Sequence, residues 1–389
     1  MGISTANKKE VFLPDDFFKI DNRYFKKLRE TKDIKADPSY WFDSESPVCN
    51  ILSNKNVQKY RIDFNSGLKD EKFILIDAIS KWDDQKYNYN NITVCSSATS
   101  ASFIVLGFLQ NKVDSIIFET PAYYASIIQA KKLGFRVQYI PTYFSDNFQI
   151  EETSIKFIKS AKTAKAIWVS QPRFGIGINQ NKDLLSNVLK CLTDKDFLII
   201  DEATEQLFPA FLNEFNFRYR KNIIKLRSFL KPTGLNGPRL SYILHDTGYR
   251  ISVQSYLELV QGAIDCFSLE YTCKLLQNIT YFQEMLIISN KYVKNIARKI
   301  ELITRGTVIV NIPLENGYIG SVAIKLYNEG NFLKERNRFL LYCNKVKVPV
   351  ILGSAMYFAI DNTFEFIRIN YFNSEFNITN GIHLLLKFR

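Results

Sequence analysis

The feature that most constrains this chain is a rhythm between Asn91 and Leu244. Short apolar runs rich in β-branched residues recur there: NITV from 91, SIIF near 115, RVQYI near 136, AIWVS near 166, DFLII before 201, NIIKL near 222 and SYIL near 241. Runs this short and this apolar, without polar alternation, read as strands buried on both faces. Several are separated by segments with helical spacing. TSASFIVLGFLQ has Ser97 or Thr99 as its cap, ASIIQAKKLG is stopped by Gly134, and NKDLLSNVLKCL follows. Strands alternating with helices require a largely parallel sheet, because a parallel crossover needs a helix to carry the chain back.

The texture changes after about residue 250. Gln277 to Ile303 holds no proline or glycine and predicts one long helix; GSVAIKL, KVPVIL and FEFIRINYF read as strand-like pieces, and a last helix follows. The first ninety residues are polar and broken, with one helical run, FILIDAISKW. No internal repeat stands out. The expected fold is therefore α/β: a large domain over 59–275 with a mostly parallel, seven-stranded-type sheet flanked by helices, and a smaller α+β domain over 276–389. Residues 1–58 are expected to join the small domain and a dimer contact.

Composition narrows the function. With 389 residues, 46% of them apolar, a sizeable core can be buried. Lys and Arg number 51 against 39 acids, a net charge of +12. The basic residues are spread and mixed with acids, so no nucleic-acid partner is expected. The six cysteines form no C-x-x-C pair and two histidines complete no ordinary zinc site. Reduced thiols in a cytoplasmic protein are the expectation. The N-terminal residues lack a signal-peptide core, Gly2-Ser4-Thr5 is only a weak myristoylation look-alike, and runs such as FIVLGFL are too short to span a bilayer, so no membrane role is expected.

In open α/β sheets, ligands bind beyond the carboxyl ends of the strands. Those positions carry CSSATSA after NITV, ETPAYYA after SIIF, QPRFGIG after AIWVS, DEATE after DFLII, and LKPTGLNGPR after the run near 222. Ser97 and Thr99, at a helix start, offer hydroxyls and backbone N–H groups to a phosphate. Ser228 and Arg239 could add a hydroxyl and a charged grip. Asp201 ends a buried strand and needs a cationic partner, which a protonated ring nitrogen would supply. Tyr123 offers a ring face, although Tyr124 beside it could exchange roles. Lys231 offers an amine to an aldehyde. Phosphate, aromatic ring, ring nitrogen and aldehyde are the parts of pyridoxal 5'-phosphate.

In these same residues the chain resembles the class I/II aminotransferases, fold-type I pyridoxal-phosphate enzymes, over roughly residues 60 to 389. The lysine motif reads S-x-x-K-x-x-G-x-x-G-x-R, and six such pieces come in the family's order. The resemblance implies that Lys231 forms the Schiff base, that Ser228, Arg239 and the Ser97-Ala98-Thr99 turn bind the phosphate, that Asp201 pairs with the ring nitrogen, and that Tyr123 stacks on the ring. It implies a homodimer in which Tyr60 could reach the neighbouring subunit's phosphate. Arg368, in FEFIRINYF, would hold the substrate carboxylate, or else form a structural ion pair. Arg173 either reads a substrate acid or lines the entrance.

The departures are specific. Arg173-Phe174-Gly175-Ile176-Gly177 stands where the family has Asn-Pro-x-Gly, so Phe174 replaces the asparagine near the ring oxygen, and Thr204 replaces a tyrosine. The leading expectation is an aminotransferase acting on an L-amino acid and a keto acid. The alternative is an elimination, cyclisation or oxidation of an amino acid on the same fold. A non-catalytic regulator is a third reading, opposed by the intact lysine.

Overall fold

The computed structural model describes residues 24–31, 33–39, 68–83, 86–150, 152–161, 163–207, 211–212, 222–235, 239–262, 264–326, 331–360 and 363–388. The apolar runs form β1 (Ile92–Cys95), β2 (Ser115–Thr120), β3 (Arg136–Pro141), β4 (Lys165–Ser170), β5 (Phe197–Glu202), β6 (Ile223–Ser228) and β7 (Ser241–Leu244). They make one seven-stranded sheet in the order β1-β7-β6-β5-β4-β2-β3. The contacts β3–β2, β2–β4, β4–β5 and β5–β6 are parallel; β7 runs against both β6 and β1. β3 lies at the edge, and it alone carries an exposed residue, Arg136.

Helices cover both faces. Before the sheet lie α1 (Lys26–Glu30) and α2 (Leu68–Asp83); within it, α3 (Ala98–Leu109), α4 (Tyr124–Lys132), α5 (Glu152–Ser160) and α6 (Lys182–Cys191) make the crossovers; α7 (Arg250–Gln261) follows β7. One apolar core joins α3, α4 and α7 to one face, through residues such as Ile104, Ile127 and Val253. The other face packs Ile158 of α5 and Leu185 and Val188 of α6 against Ile117, Ile167 and Leu198. The chain caps these helices with its own side chains: the Ser97 oxygen accepts from Ser100 N and the Asn181 oxygen from Leu184 N. Gly134, at φ +85°, ends the segment after α4 as its sequence position implies.

Beyond α8 (Cys266–Gln277) comes α9 (Ile279–Thr304), the long helix expected from 277–303, capped by Asn278. It buries Phe282, Met285, Leu286, Ser289, Val293, Ile296 and Ile300, one stripe at helical spacing. A second sheet, in the order β10-β9-β8, holds β8 (Ile309–Asn311), β9 (Ile319–Lys325) and β10 (Phe364–Asn370), all antiparallel. With α10 (Phe332–Lys345) and α11 (Glu375–Leu385) it shares a core that also takes in α2. KVPVIL departs from expectation. It forms no strand, only an isolated bridge from Leu352 to Ile367, because Pro349 has no N–H to give a ladder.

His245 is a satisfied core histidine: its ring nitrogens meet Thr93 Oγ1 at 2.9 Å and Asp246 O at 2.8 Å. Among the described residues no helix is long and apolar enough to cross a membrane. Cys95, Cys191, Cys273 and Cys343 are free thiols.

Candidate active site

The carboxyl ends of the parallel strands, together with the small sheet, bring most of the candidate residues together. Ser97 follows β1 in extended conformation and opens α3, so the first N–H groups of that helix face outward from the strand end. The turn is fixed from behind, since Ser96 N and Oγ both donate to Gln261 Oε1 at 3.0 and 3.1 Å. The Thr99 hydroxyl reaches Tyr123 Oη at 3.3 Å, which ties the helix start to the residue after β2. The Tyr123 ring lies against Phe174, centroids 5.4 Å apart. Both are therefore one aromatic wall.

Lys231 begins a 3-10 turn, Lys231–Thr233, three residues after β6. Gly234 closes it at φ +82°, a conformation that costs glycine little, and donates its N–H to Lys231 O at 3.1 Å. Gln206 Nε2 donates to Pro232 O and Ser289 Oγ to Thr233 O, both at 2.8 Å. The lysine is thus carried on a turn held from β5's loop and from α9. Ser228 is buried at the end of β6, and its hydroxyl meets Leu240 O at 3.5 Å. Arg239 is exposed and near enough for its charge to act on Lys231.

Asp201 sits on β5, beside the lysine's strand. Among the described residues its carboxylate accepts one hydrogen bond, from Ala203 N at 3.1 Å. Burial pushes it up to about 6, against the pull of that N–H and of Lys231. Burial pushes Lys231 down, Arg239 adds to that, and Asp201 resists. Two groups that would rest fully charged in water are therefore drawn toward neutrality at the same place. That is how a protein prepares acid–base chemistry, and also how it holds a place for a ligand's own charge.

Arg368 lies buried on β10, opposite Ser321 of β9. Its Nε and Nη2 donate to Ser39 O at 3.1 and 2.6 Å, and Ser39 Oγ donates to Arg368 O at 2.6 Å. Burial lowers its guanidinium to about 10, and Asp37 counters that. Its charge acts on Tyr123 and on Tyr318, so it belongs to the same space.

Arg173, Thr204 and Tyr60 are not shown to take part in that space. Arg173 is spent inside the protein: its Nε lies 3.1 Å from Glu119 Oε1, and it donates to Phe148 O and Gln180 Oε1. Its charge is committed to a buried acid. Thr204 is half-buried, and its carbonyl closes on Gly317, where a Cβ would come to 3.0 Å. Tyr60 lies outside the described residues.

The residue that sequence reasoning missed is Tyr318. It is buried, and burial raises its phenol; Arg368 opposes that, while Tyr123 and Asp201 add to it. In the sequence it is one tyrosine among 21, after a glycine in a loop, with no motif to mark it.

The fold has known counterparts. The profile of the family described as Aminotransferase class I and II matches residues 75–300, more than half the chain. The chain belongs to the class I and II aminotransferase family. Among curated members it is similar to the histidinol-phosphate aminotransferase of Buchnera aphidicola subsp. Diuraphis noxia, 23% identical over 171 residues, 43% of this chain and 46% of the relative. It is also similar to the aspartate aminotransferase of Thermotoga maritima, 24% identical over 161 residues, 40% of this chain and 42% of the relative. These alignments span less than half the length of the curated relatives. The class I and II likeness in three dimensions is wider. The aspartate aminotransferase of Thermus thermophilus with maleate superposes at TM-score 0.74 and 14% identity, covering 100% of this chain and 99% of that one. The Thermotoga maritima enzyme superposes at 0.72 and 16%, with 97% of each covered. At these identities the agreement is one of fold.

Proposed function

We propose that this chain is a pyridoxal-phosphate-dependent aminotransferase acting on an L-amino acid, with a keto acid as second substrate. The observation that carries the reading is Asp201 beside Lys231: a carboxyl raised to about 6, with one hydrogen bond among the described residues, next to an amine that burial lowers. A protonated ring nitrogen fits that carboxyl, which is otherwise short of partners. Ser97, Ala98, Thr99, Ser228 and Arg239 would hold the phosphate, and Tyr123 would lie against the ring face.

Bound there, the cofactor supplies an electron-withdrawing ring that makes the Cα proton of an attached amino acid acidic. The chain's own residues do the rest. Asp201 would pair with the ring nitrogen and favour its charged form. Lys231 would offer its amine to the cofactor's aldehyde and, as a free amine, would move a proton at the substrate Cα. Burial lowers its pKa, which shifts the amine toward the neutral form that such a role uses. Arg368 would hold the α-carboxylate and so fix which Cα bond is broken.

Borohydride treatment tests the reading. The phosphopyridoxyl mass is expected on the peptide containing Lys231, and Lys231→Ala should remove it together with the yellow colour. A label on another lysine overturns the assignment. Adding an amino acid alone should convert the cofactor to pyridoxamine phosphate and stall until a keto acid is supplied.

A second reading keeps the cofactor and changes the outcome to elimination, cyclisation or oxidation. The apolar Phe174 ring against Tyr123 favours it, because it places no donor there. Sustained turnover without a keto acid, with release of ammonia, would select this reading. We further propose a homodimer, which sedimentation checks.

A further inference from the structure

We propose that Tyr318 is a substrate-recognition residue that donates its phenol hydrogen bond to the α-carboxylate that Arg368 also holds. This rests on the amino-acid reading above.

The backbone delivers Tyr318 to the site. It stands immediately before β9, and its carbonyl accepts from Tyr371 N at 2.9 Å, three residues beyond Arg368 and just past the end of the pairing strand. Tyr318 and Arg368 therefore leave the small sheet at the same end. The turn ahead of Tyr318 is clamped to the large sheet. Asn316 Nδ2 donates to Glu205 Oε1 at 2.6 Å, and Gln206 N donates to Asn316 Oδ1 at 3.2 Å. Gly317, at φ +77°, has no space for a Cβ, which would come to 2.9 Å from Pro172 Cγ and 3.0 Å from Thr204 O. The tyrosine is thus held between the ends of β4, β5 and β10.

Its hydroxyl is unspent. The ring is 2% exposed and stacks on Phe372, centroids 4.6 Å apart at 25°. Yet among the described residues its oxygen makes no hydrogen bond. Tyr123, by contrast, is engaged by Thr99. Buried polar groups are almost always paired, so one left open at a site is completed by what binds there. Burial raises its phenol, and Arg368 is the strongest charge acting on it, ahead of Tyr123 and Asp201. An anion held by Arg368 is then within its field. Two nitrogens of Arg368 already point at the Ser39 carbonyl, so a carboxylate gains from a second donor. A phenol gives one directed hydrogen bond without adding charge.

The test compares acids with their decarboxylated amines in the holoenzyme: L-phenylalanine against 2-phenylethylamine, and L-leucine against isoamylamine. In Tyr318→Phe, affinity for the acids should fall roughly tenfold to a hundredfold, the range of a hydrogen bond to a charged group, while the amines are unaffected. Tyr318→Met, which also lacks the hydroxyl, should agree with Tyr318→Phe and guards against a folding artefact. Equal loss for acids and amines overturns the proposal, as does no loss for either, or a wild-type enzyme that prefers no acid over its amine. A shifted pH titration of cofactor absorbance without amino acid, with the acids unaffected, places the phenol at the ring oxygen and also overturns it. The Lys231 label tests the cofactor separately, so a chain that passes that test and fails this one loses only the inference about Tyr318.

Discussion

Arg173 and Glu119 form a buried ion pair, Nε to Oε1 at 3.1 Å, between the loop that follows β4 and the end of β2 itself. Both are almost fully buried, and Gln180 supports the pair by contacting each of them. Desolvation raises Glu119, and Arg173 is the charge that most opposes it. The pair joins two strand ends behind the candidate site.

Removing one partner of such a pair leaves an uncompensated buried charge. Arg173→Met should therefore destabilise the fold by about 3–5 kcal/mol, with amino-acid affinity unchanged in protein that remains folded. The double variant Arg173→Met/Glu119→Gln should recover much of the loss, which a double-mutant cycle on melting measures. An affinity loss in Arg173→Met without any loss of stability would instead make this arginine a reader of substrate.

Asp201 gives a pH signature in protein stripped of cofactor. Its folded pKa is raised to about 6 from 3.8, so the folded chain binds the proton more tightly than the unfolded one. The group therefore lowers stability above about pH 6, and that cost is relieved as pH falls from 6 towards 3.8. Asp201→Asn should stabilise the stripped protein at pH 7 by up to about 3 kcal/mol, while slowing turnover of the loaded enzyme by orders of magnitude. Melting from pH 5 to 8 checks the first half. A variant no more stable than the parent would show that Asp201 is not strained by burial.

His245 has the opposite sign of effect. Burial lowers it from 6.5 to about 4, so the unfolded chain binds the proton first. Its contribution is complete above about pH 6.5 and is lost as pH falls towards 4, roughly 3 kcal/mol in all. Between pH 4 and 6 it and Asp201 act in opposition, so each has to be read in its own variant. His245→Gln should flatten the acid limb of the melting curve; an unchanged limb would locate acid lability elsewhere.

What the sequence determined on its own is what depends on neighbours in the chain. β-branched runs between polar turns are buried strands because nothing else suits them, and Ser97, Asn181 and Asn278 cap helices through contacts three residues away. The parallel sheet follows from that alternation, and with it the placement of Lys231, Asp201 and Tyr123 just beyond or at strand ends. Chain folding in space decided the rest. The reversal of β7 and the strand order depend on pairings between distant segments. KVPVIL looks like a strand by composition, yet Pro349 denies it a ladder and only Leu352 bridges to Ile367. Arg173 reads as a site arginine until Glu119, two crossovers earlier, takes its charge. Tyr318 carries no local mark at all. Its position is set by Asn316 and Gly317 against the loops of β4 and β5, and by Tyr371 across the small sheet. A side chain's charge partner and a hydroxyl's vacancy are properties of three-dimensional neighbours, and a linear pattern records only neighbours along the chain.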